Sequence, residues 1–387
     1  MAGGPGSAGT ADLQGPRGPM FERLRSVADV IIPDQRGTGR SNAIPICEPD
    51  ARLDPMMLTG PAIAGYFRQQ FGRCLDQWRA AGVDPAGYTL MDSAEDLEAL
   101  RLALGARRID LVAISYGPQL ASAYMKAHPS HVGRAVLASG RGLDQTVRLP
   151  ADVDAYLRRM GGAELVDTMR RVHARLDANP VTVELTPQGS RDPVTIRFDS
   201  FPVRYAVSFF LINDASGARS LTDLYRRMDQ GDFAAIAQLI QSRCLDPRAG
   251  RFTAFRGMGE IMDLSSNWSA ARKALWQSQV AQSALGDAHN YPVPQGLGDW
   301  PDLDIDPAWR QPLKTSIPTL FLTGTADGRL PMESQAATMR GFSRGRQIVI
   351  DGGGHNLFEQ SVDIQEATRL FLASGRVVQP RIVLPSA

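Results

Sequence analysis

Short apolar runs and amphipathic stretches alternate along the first third of the chain. Runs rich in β-branched and other apolar residues predict buried strands at residues 27–34, 109–114 and 135–138. Leucines spaced among acids and arginines predict a helix over residues 92–104, and a second helix is predicted over residues 116–128. Because strands and helices alternate, this part of the chain predicts a parallel, doubly wound sheet.

The pattern changes in the middle of the chain. Residues 151–179 and several stretches between residues 220 and 285 predict helices. Residues 181–185 and 194–198 alternate around a Pro-Gln-Gly turn, which predicts a β-hairpin. A segment rich in Pro, Gly and Trp follows. The middle of the chain therefore predicts a mainly helical insertion.

Strand and helix alternate again towards the end of the chain. Two strands and two helices are predicted in turn at residues 319–323, 332–339, 347–350 and 364–372. The length also permits two or three folding units. The pattern favours one α/β core made of residues 1–141 and 313–387, with residues 142–312 inserted as a cap.

Composition excludes some classes of function. The chain has 387 residues with 42 Lys plus Arg and 41 Asp plus Glu, so its bulk charge does not favour a nucleic acid partner. Its apolar runs are too short to span a membrane, and no secretory signal pattern is present. Three cysteines show neither CxxC nor CxxH spacing, and nothing in the sequence indicates a metal ion or an organic cofactor.

Ser115 is the leading candidate for a nucleophile. It lies in Ala113-Ile114-Ser115-Tyr116-Gly117, where a predicted strand meets a predicted helix. A tight turn at such a junction lifts a serine hydroxyl above the sheet, and the residues two positions to either side must then be small. The alternative is that Ser115 simply caps the following helix.

A serine hydroxyl needs a base, and His355 is the histidine best placed to supply one. It follows a predicted strand through Asp351-Gly352-Gly353-Gly354, at the sheet edge where catalytic groups collect. Asp327 follows the preceding strand at the same edge and is the predicted acid partner, with Asp351 as its competitor. The order Ser, Asp, His fits a triad on a doubly wound sheet. The alternative for His355 is an ordinary surface histidine.

Two backbone N–H groups would complete the site by binding the negative charge that develops on a substrate carbonyl. One would come from Tyr116, the residue after the nucleophile. The other is predicted at Gly3 or Gly4, in the glycine-rich start Gly3-Gly4-Pro5-Gly6, because glycine lets the backbone approach a substrate closely.

Together these motifs resemble the α/β-hydrolases of the proline iminopeptidase and tripeptidyl aminopeptidase group. The motifs that carry the resemblance are Gly3-Gly4-Pro5-Gly6, Asp34-Gln35-Arg36-Gly37-Thr38-Gly39-Arg40-Ser41, Ser115-Tyr116-Gly117, Gly324-Thr325-Ala326-Asp327-Gly328 and Gly354-His355. The resemblance implies an α/β-hydrolase fold, acyl transfer to water on a peptide N-terminus or an ester, no cofactor, and a structural role for Asp34 and Arg36. Such relatives are often secreted or periplasmic, which leaves the compartment of this chain open.

The start of the chain differs from that of these α/β-hydrolases. In relatives the glycine-rich loop follows a strand, whereas only Met1 and Ala2 precede it here. The third strand of such a sheet has no counterpart either, which would leave two rows of backbone groups unpaired. We therefore expect N-terminal strands of the fold to be missing from this sequence.

The sequence does not decide whether the substrate is a peptide or an ester, because the same triad cleaves both kinds of bond. An aminopeptidase needs acids to pair with the ammonium group of its substrate. Glu260 and Asp263, three residues apart in a predicted helix, are the candidates, and the alternative is a solvated acidic face. A carboxylesterase is the alternative function, and a non-catalytic binding protein is a remote one.

Secreted relatives carry cysteines in places similar to those of Cys47 and Cys74. If the protein is exported, the resemblance implies a bridge between these two residues and a free thiol at Cys244. Two independent buried cysteines are the alternative, since free cysteine is among the most buried residue types. A bridge requires Cα atoms about 4.4 to 6.8 Å apart.

Overall fold

A computed structural model of the protein describes residues 1–42, 44–48, 50–208, 215–245, 257–293 and 295–385. Its α-helices are, in chain order, α1 (Gly18–Leu24), α2 (Gly60–Ala80), α3 (Leu90–Ala103), α4 (Gly117–Ala127), α5 (Pro150–Ala178), α6 (Ser200–Ala206), α7 (Ala215–Asp229), α8 (Ala234–Ile240), α9 (Met258–Ser266), α10 (Ala270–Val280), α11 (Met332–Met339) and α12 (Val362–Ser374). Its strands are β1 (Ile109–Ile114), β2 (Val132–Ala138), β3 (Val181–Leu185), β4 (Val194–Phe198), β5 (Thr319–Gly324), β6 (Gly345–Asp351) and β7 (Arg381–Val383).

A parallel sheet forms the centre of the fold. Its five strands lie in the spatial order β1, β2, β5, β6, β7. Every residue of β5 is buried, as expected for a parallel strand that is covered on both faces. The strand predicted at residues 109–114 is confirmed with the same bounds. The strands predicted at residues 135–138, 319–323 and 347–350 are also confirmed, and in the structure they are slightly longer, as β2, β5 and β6.

Helices cover both faces of this sheet. On one face, α1 and α12 pack against a cluster that includes Val136 and Leu322. On the other face, α4 packs against a cluster that includes Leu111 and Leu137. Because consecutive residues of a strand point to opposite faces, Val136 and Leu137 of β2 belong to different clusters. The predicted doubly wound α/β arrangement is confirmed.

The insertion lies between β2 and β5, which are neighbours in the sheet. It contains α5 to α10 and an antiparallel hairpin of β3 and β4 at the predicted bounds. Its buried residues join the hydrophobic core formed by α2, α3 and α4. We propose that residues 1–141 and 313–387 are the two parts of the core and that residues 142–312 are its cap.

The strand predicted at residues 27–34 is wrong, because these residues form no strand. β1 is the edge of the sheet, and Met1 lies beside it: the amino group of Met1 donates to Val112 O at 2.7 Å, and Ile114 N donates to Met1 O at 3.4 Å. A cavity of about 940 Å³ is lined by residues 109–112 and residues 27–33. An apolar run becomes a strand only where a ladder partner is available, and among the described residues none lies beside this one.

The sequence interpretation missed α2 and β7. In α2 the buried residues Phe67, Phe71, Leu75 and Trp78 recur every three or four positions, so the periodic signal was present in the sequence. β7 has only three residues, too few for its pattern to be recognised. Across the described residues, every helix is either too short or too polar to cross a membrane.

Cys47 and Cys74 form a disulfide bond, with a Cα–Cα distance of 5.7 Å. Cys47 lies in the segment before α2, whereas Cys74 lies within that helix and is fully buried. Cys244 is buried and has a free thiol. The pairing implied by the resemblance is therefore present, and it persists only where the surroundings are oxidising.

Removing this bond is expected to lower the free energy of unfolding by about 3 kcal/mol, because the bridge restricts the unfolded chain between two residues 27 positions apart. Denaturant unfolding of the wild type and of the Cys47→Ser/Cys74→Ser variant, both without reductant, measures the difference. Adding reductant should bring the wild type to the stability of the variant. Three titratable thiols in the denatured, unreduced wild type would contradict the bridge.

Candidate active site

Ser115 occupies a sharp turn between β1 and α4. Its φ is +63°, a left-handed conformation that residues with side chains rarely adopt and that often marks functional sites. A Cβ atom on Gly117 would lie 2.8 Å from Met1 O and 3.2 Å from the Cβ of Ala113, so the strand and helix backbones nearly touch there. This contact explains the small residues at both positions.

The helix-cap alternative for Ser115 is wrong. The residue that caps α4 is Tyr116, and no side chain makes a capping hydrogen bond at this helix end. The Ser115 hydroxyl instead lies 2.9 Å from Nε2 of His355. The serine hydroxyl is therefore engaged with a base rather than with the helix backbone.

His355 connects the serine to a carboxylate. Its Nδ1 atom lies 3.0 Å from Oδ2 and 3.2 Å from Oδ1 of Asp327. The Asp327 side chain is fully buried, and its Oδ1 atom also accepts the backbone N–H groups of Arg329 at 3.0 Å and Leu330 at 2.9 Å. These donors fix the carboxylate, which in turn fixes the orientation of the imidazole ring.

The loops that carry the acid and the base meet at the carboxyl edge of the sheet. Asp327 follows β5 and His355 follows β6, which are adjacent parallel strands. Ala326 N donates to Gly353 O at 2.8 Å and so joins the two loops directly. The structure thus brings Ser115, Asp327 and His355 together as one continuous hydrogen-bonded arrangement.

Asp351, the competitor for the acid role, lies elsewhere. Its carboxylate accepts two hydrogen bonds from Nη1 of Arg381 in β7, at 2.8 and 2.6 Å. Its backbone carbonyl accepts the N–H of Leu384 at 3.0 Å. Asp351 therefore helps to attach β7 to β6, and its carboxylate is not hydrogen-bonded to His355.

The glycine-rich start of the chain lies against the serine. A Cβ atom on Gly3 would be 3.0 Å from the Cβ and 3.4 Å from the Oγ of Ser115, so only glycine fits without displacement. The next residue, Gly4, has a φ of +113°. Tyr116, the third predicted member of the oxyanion site, is the N-cap residue of α4, at the end where the first N–H groups of a helix lack intrahelical partners.

Asp34 and Arg36 have structural contacts. The carboxylate of Asp34 accepts the N–H groups of Thr10 and Arg40, both at 2.8 Å, and so ties the start of the chain to the loop after residue 34. Burial raises the pKa of Asp34, but these hydrogen bonds outweigh it and the pKa lies below its usual value. Arg36 binds Asp96 of α3 through two hydrogen bonds, at 2.7 and 2.6 Å.

The two acids predicted for substrate binding lie on α9, which reaches this site. A Cβ atom on Gly6 would lie 3.0 Å from Gly259 N, and one on Gly259 would lie 2.8 Å from Pro5 O, so the start of α9 lies close to the glycine-rich loop. Glu260 follows directly and is half-buried. Asp263, one turn later, forms an ion pair with the buried Arg141.

Arg141 is a site residue that the sequence interpretation missed. Its guanidinium lies over the ring of Tyr116, 5.4 Å from the ring centroid, and its Nε atom donates to Gln119 Oε1 at 2.8 Å. Burial and the charge of Asp263 raise the pKa of Tyr116, and Arg141 opposes this effect. Arg141 comes three residues after the end of β2, so its position at the carboxyl edge was a usable signal.

One group of side chains in the described residues has metal-ligand character. These side chains belong to Glu98, His128 and His131, at the end of α4 away from Ser115. Each offers one ligand atom, and the three atoms lie within 4.8 Å of one another. The Glu98 carboxylate already accepts hydrogen bonds from Arg101, at 2.6 and 3.0 Å, and from Tyr124 at 2.9 Å. This saturated carboxylate fits a structural role better than metal binding.

Two family models match the chain. Residues 3–185 match the alpha/beta hydrolase fold, and residues 293–382 match the TAP-like proteins. The chain therefore belongs to the α/β-hydrolases, a family of hydrolytic enzymes. The match of residues 293–382 to the TAP-like proteins agrees with the resemblance that the sequence motifs implied.

The chain is also similar to individual proteins. The chain is 31% identical over 170 residues to the serine protease Hip1 of Mycobacterium tuberculosis, a match that spans 41% of this chain and 31% of that protein. An esterase from Thermogutta terrifontis has a similar fold, with 19% identity, coverage of 91% of this chain and 84% of that chain, and a TM-score of 0.36. An alpha/beta hydrolase fold protein from Nakamurella multipartita has 16% identity, coverage of 97% and 91%, and a TM-score of 0.38.

Proposed function

We propose that this chain is a serine hydrolase that works through an acyl-enzyme. The supporting observation is the pair of contacts made by His355, 2.9 Å to Ser115 Oγ and 3.0 Å to Asp327 Oδ2. A base within hydrogen-bond reach of the serine, itself oriented by a carboxylate, is the arrangement that activates a hydroxyl at neutral pH.

The reaction follows from this arrangement. Ser115 Oγ attacks the substrate carbonyl while Nε2 of His355 takes the hydroxyl proton. The carbonyl oxygen becomes negatively charged, and His355 then gives the proton to the leaving amine or alkoxide. Water attacks the acyl-enzyme in the same way, with His355 again as the base, and releases the acid and the free serine.

The negative oxygen would be held by N–H groups of Tyr116 and of Gly3 or Gly4. Tyr116 directly follows the nucleophile, and a Cβ atom on Gly3 would lie only 3.0 Å from the Cβ of Ser115, so the Gly3 backbone lies close to the serine. The start of α4 adds the positive end of a helix dipole at the same place. Such preorganised donors contribute a large part of the rate enhancement in acyl transfer.

A Gly3→Ala substitution tests this part of the proposal. The new methyl group would lie 3.0 Å from the Cβ of Ser115 and displace either the serine or the oxyanion donors. We expect kcat to fall roughly 100- to 1,000-fold, the effect of losing one such donor. Gly15→Ala is the matched control, because its nearest neighbour would be at an ordinary 3.7 Å. Equal activity of both variants would contradict a role for Gly3.

For the substrate, we propose a short peptide with a free N-terminus, cleaved by an aminopeptidase activity. The match to the TAP-like proteins and the serine protease relative support a peptide bond. Glu260, at the start of α9 beside the glycine-rich loop, would pair with the ammonium group. Asp263 is less suited to that role, because Arg141 already binds its carboxylate.

Ester hydrolysis is the second candidate, and the Arg141–Asp263 pair is the observation that favours it. With one acid already neutralised, the site holds less negative charge for an ammonium group than the sequence suggested. Kinetics on p-nitrophenyl esters and on alanyl and prolyl naphthylamides separate the two activities, with Ser115→Ala as the blank. Hydrolysis of the naphthylamides, lost in Glu260→Gln, supports the aminopeptidase. Hydrolysis of esters alone supports the carboxylesterase.

A further inference from the structure

Arg148 is a positively charged residue beside the proposed active site. It has no role in the reaction proposed above. Its backbone is fixed by Asn290, whose Oδ1 accepts the N–H of Arg148 at 2.7 Å and whose Nδ2 donates to its carbonyl at 2.9 Å. The residue is half-buried, so part of its surface remains reachable. The backbone of Arg148 is thus fixed by the cap, and the residue is not sealed inside it.

A hydrogen bond places the segment that leads to Arg148 next to the catalytic groups. Nε2 of Gln119, four residues after Ser115 in α4, donates to Oγ1 of Thr146 at 3.0 Å. Burial, together with the positive charges of Arg329 and Arg141, lowers the pKa of Arg148 to about 9. The negative charges of Asp263 and Asp327 act in the opposite direction. Arg148 is therefore within electrostatic reach of both the triad acid and the ion pair that lies over Tyr116.

No carboxylate in the described part of the chain pairs with Arg148. Its one side-chain hydrogen bond there runs from Nη1 to His289 O at 3.0 Å, and its Nε atom is buried without a partner. The two nearby acids are already engaged, Asp263 by Arg141 and Asp327 by His355. A buried donor without an acceptor is unfavourable, and a bound anion would satisfy the Nε atom of Arg148.

We propose that Arg148 binds a carboxylate group of the substrate. This inference rests on the proposed function, because it assumes that the substrate binds beside Ser115. A guanidinium presents two parallel N–H groups that match the two oxygens of a carboxylate. One unpaired cation is balanced by one monoanion. The substrate class is then a peptide with a free C-terminal carboxylate or an ester whose acyl part ends in a carboxylate.

Two pairs of substrates distinguish these sources. The first pair is an alanyl dipeptide with a free C-terminus and the same dipeptide as its C-terminal amide, which places the carboxylate on the leaving group. The second pair is the p-nitrophenyl ester of glutaric acid and that of its monomethyl ester, which places it on the acyl part. The two members of each pair differ by one negative charge and are nearly equal in size.

In Arg148→Met we expect kcat/KM for the charged member of one pair to fall roughly 10- to 100-fold, the effect of losing a charge-assisted hydrogen bond. The neutral member should change by less than about twofold, and Arg148→Lys should restore part of the loss. Arg171→Met is the matched control, since it removes an equal charge from an exposed ion pair with Asp229 on the cap. The pair that responds identifies the source of the carboxylate.

Equal loss for charged and neutral substrates, or no loss for either, would overturn the proposal. A folding defect is detected separately by thermal unfolding, and glutarate provides a second measurement that needs no turnover. Glutarate should raise the melting temperature of the wild type and of Arg171→Met but not that of Arg148→Met; the same shift in all three would also overturn it. A failure of the proposed function can be told apart from a failure of this inference. Full activity of the Ser115→Ala variant would contradict the proposed function, independently of the results for Arg148.

Discussion

Replacing Ser115 with alanine is expected to lower kcat by about four to six orders of magnitude, as the loss of a triad nucleophile does. The hydroxyl of Ser115 lies 2.9 Å from Nε2 of His355, and alanine removes it without adding bulk. The melting temperature should stay close to that of the wild type, because the hydroxyl caps no helix. Steady-state kinetics on the best ester or peptide substrate measures the loss.

Ser139→Ala is the matched control for this change. Ser139 directly follows the neighbouring strand β2, has a positive φ of 44°, and is fully buried. Its hydroxyl is hydrogen-bonded to no group in the described residues, so its removal should leave kcat within a few-fold of the wild type. Similar losses in both variants would show that packing at the sheet edge, not the hydroxyl of Ser115, limits the activity.

Asp327→Asn is expected to lower kcat by about four orders of magnitude. An amide can still accept the N–H groups of Arg329 and Leu330, so the loop should keep its structure. The amide cannot stabilise a positively charged imidazole, and its NH₂ group favours the wrong tautomer of His355. Rates measured with the ester and peptide panel give the size of the effect, and circular dichroism checks the fold.

The control for this change is Asp351→Asn, at the other acid considered for the role. Asp351 binds Arg381 on the surface, so the substitution should cost a little stability and little activity. If Asp351→Asn were the inactive variant and Asp327→Asn remained active, the assignment of the acid would be reversed.

The sequence predicted the arrangement of the site because each member of the triad depends on a local pattern. Ser115, Asp327 and His355 each follow a short apolar run, and parallel strands end at one edge of a sheet. No contact between distant residues had to be known. The small residue at Gly117 likewise reflects its own turn.

The features that the sequence did not show depend on distant partners. Residues 27–34 have the composition of a strand, but a strand needs a neighbour, and composition does not show whether one is present. Asp263 was considered as an acid for an ammonium group because its partner, Arg141, is more than a hundred residues away in the chain. Arg148 was missed for the same reason, since only the structure shows which acids it lacks.

The most direct test of the proposed function is labelling with a fluorophosphonate, followed by mass spectrometry of the digested protein. The reagent phosphonylates a serine only where a base activates the hydroxyl. The structure predicts one modified residue, Ser115, in the wild type and none in a folded Ser115→Ala variant. An unlabelled, folded wild type, or equal labelling of both proteins, would contradict a serine nucleophile at this position.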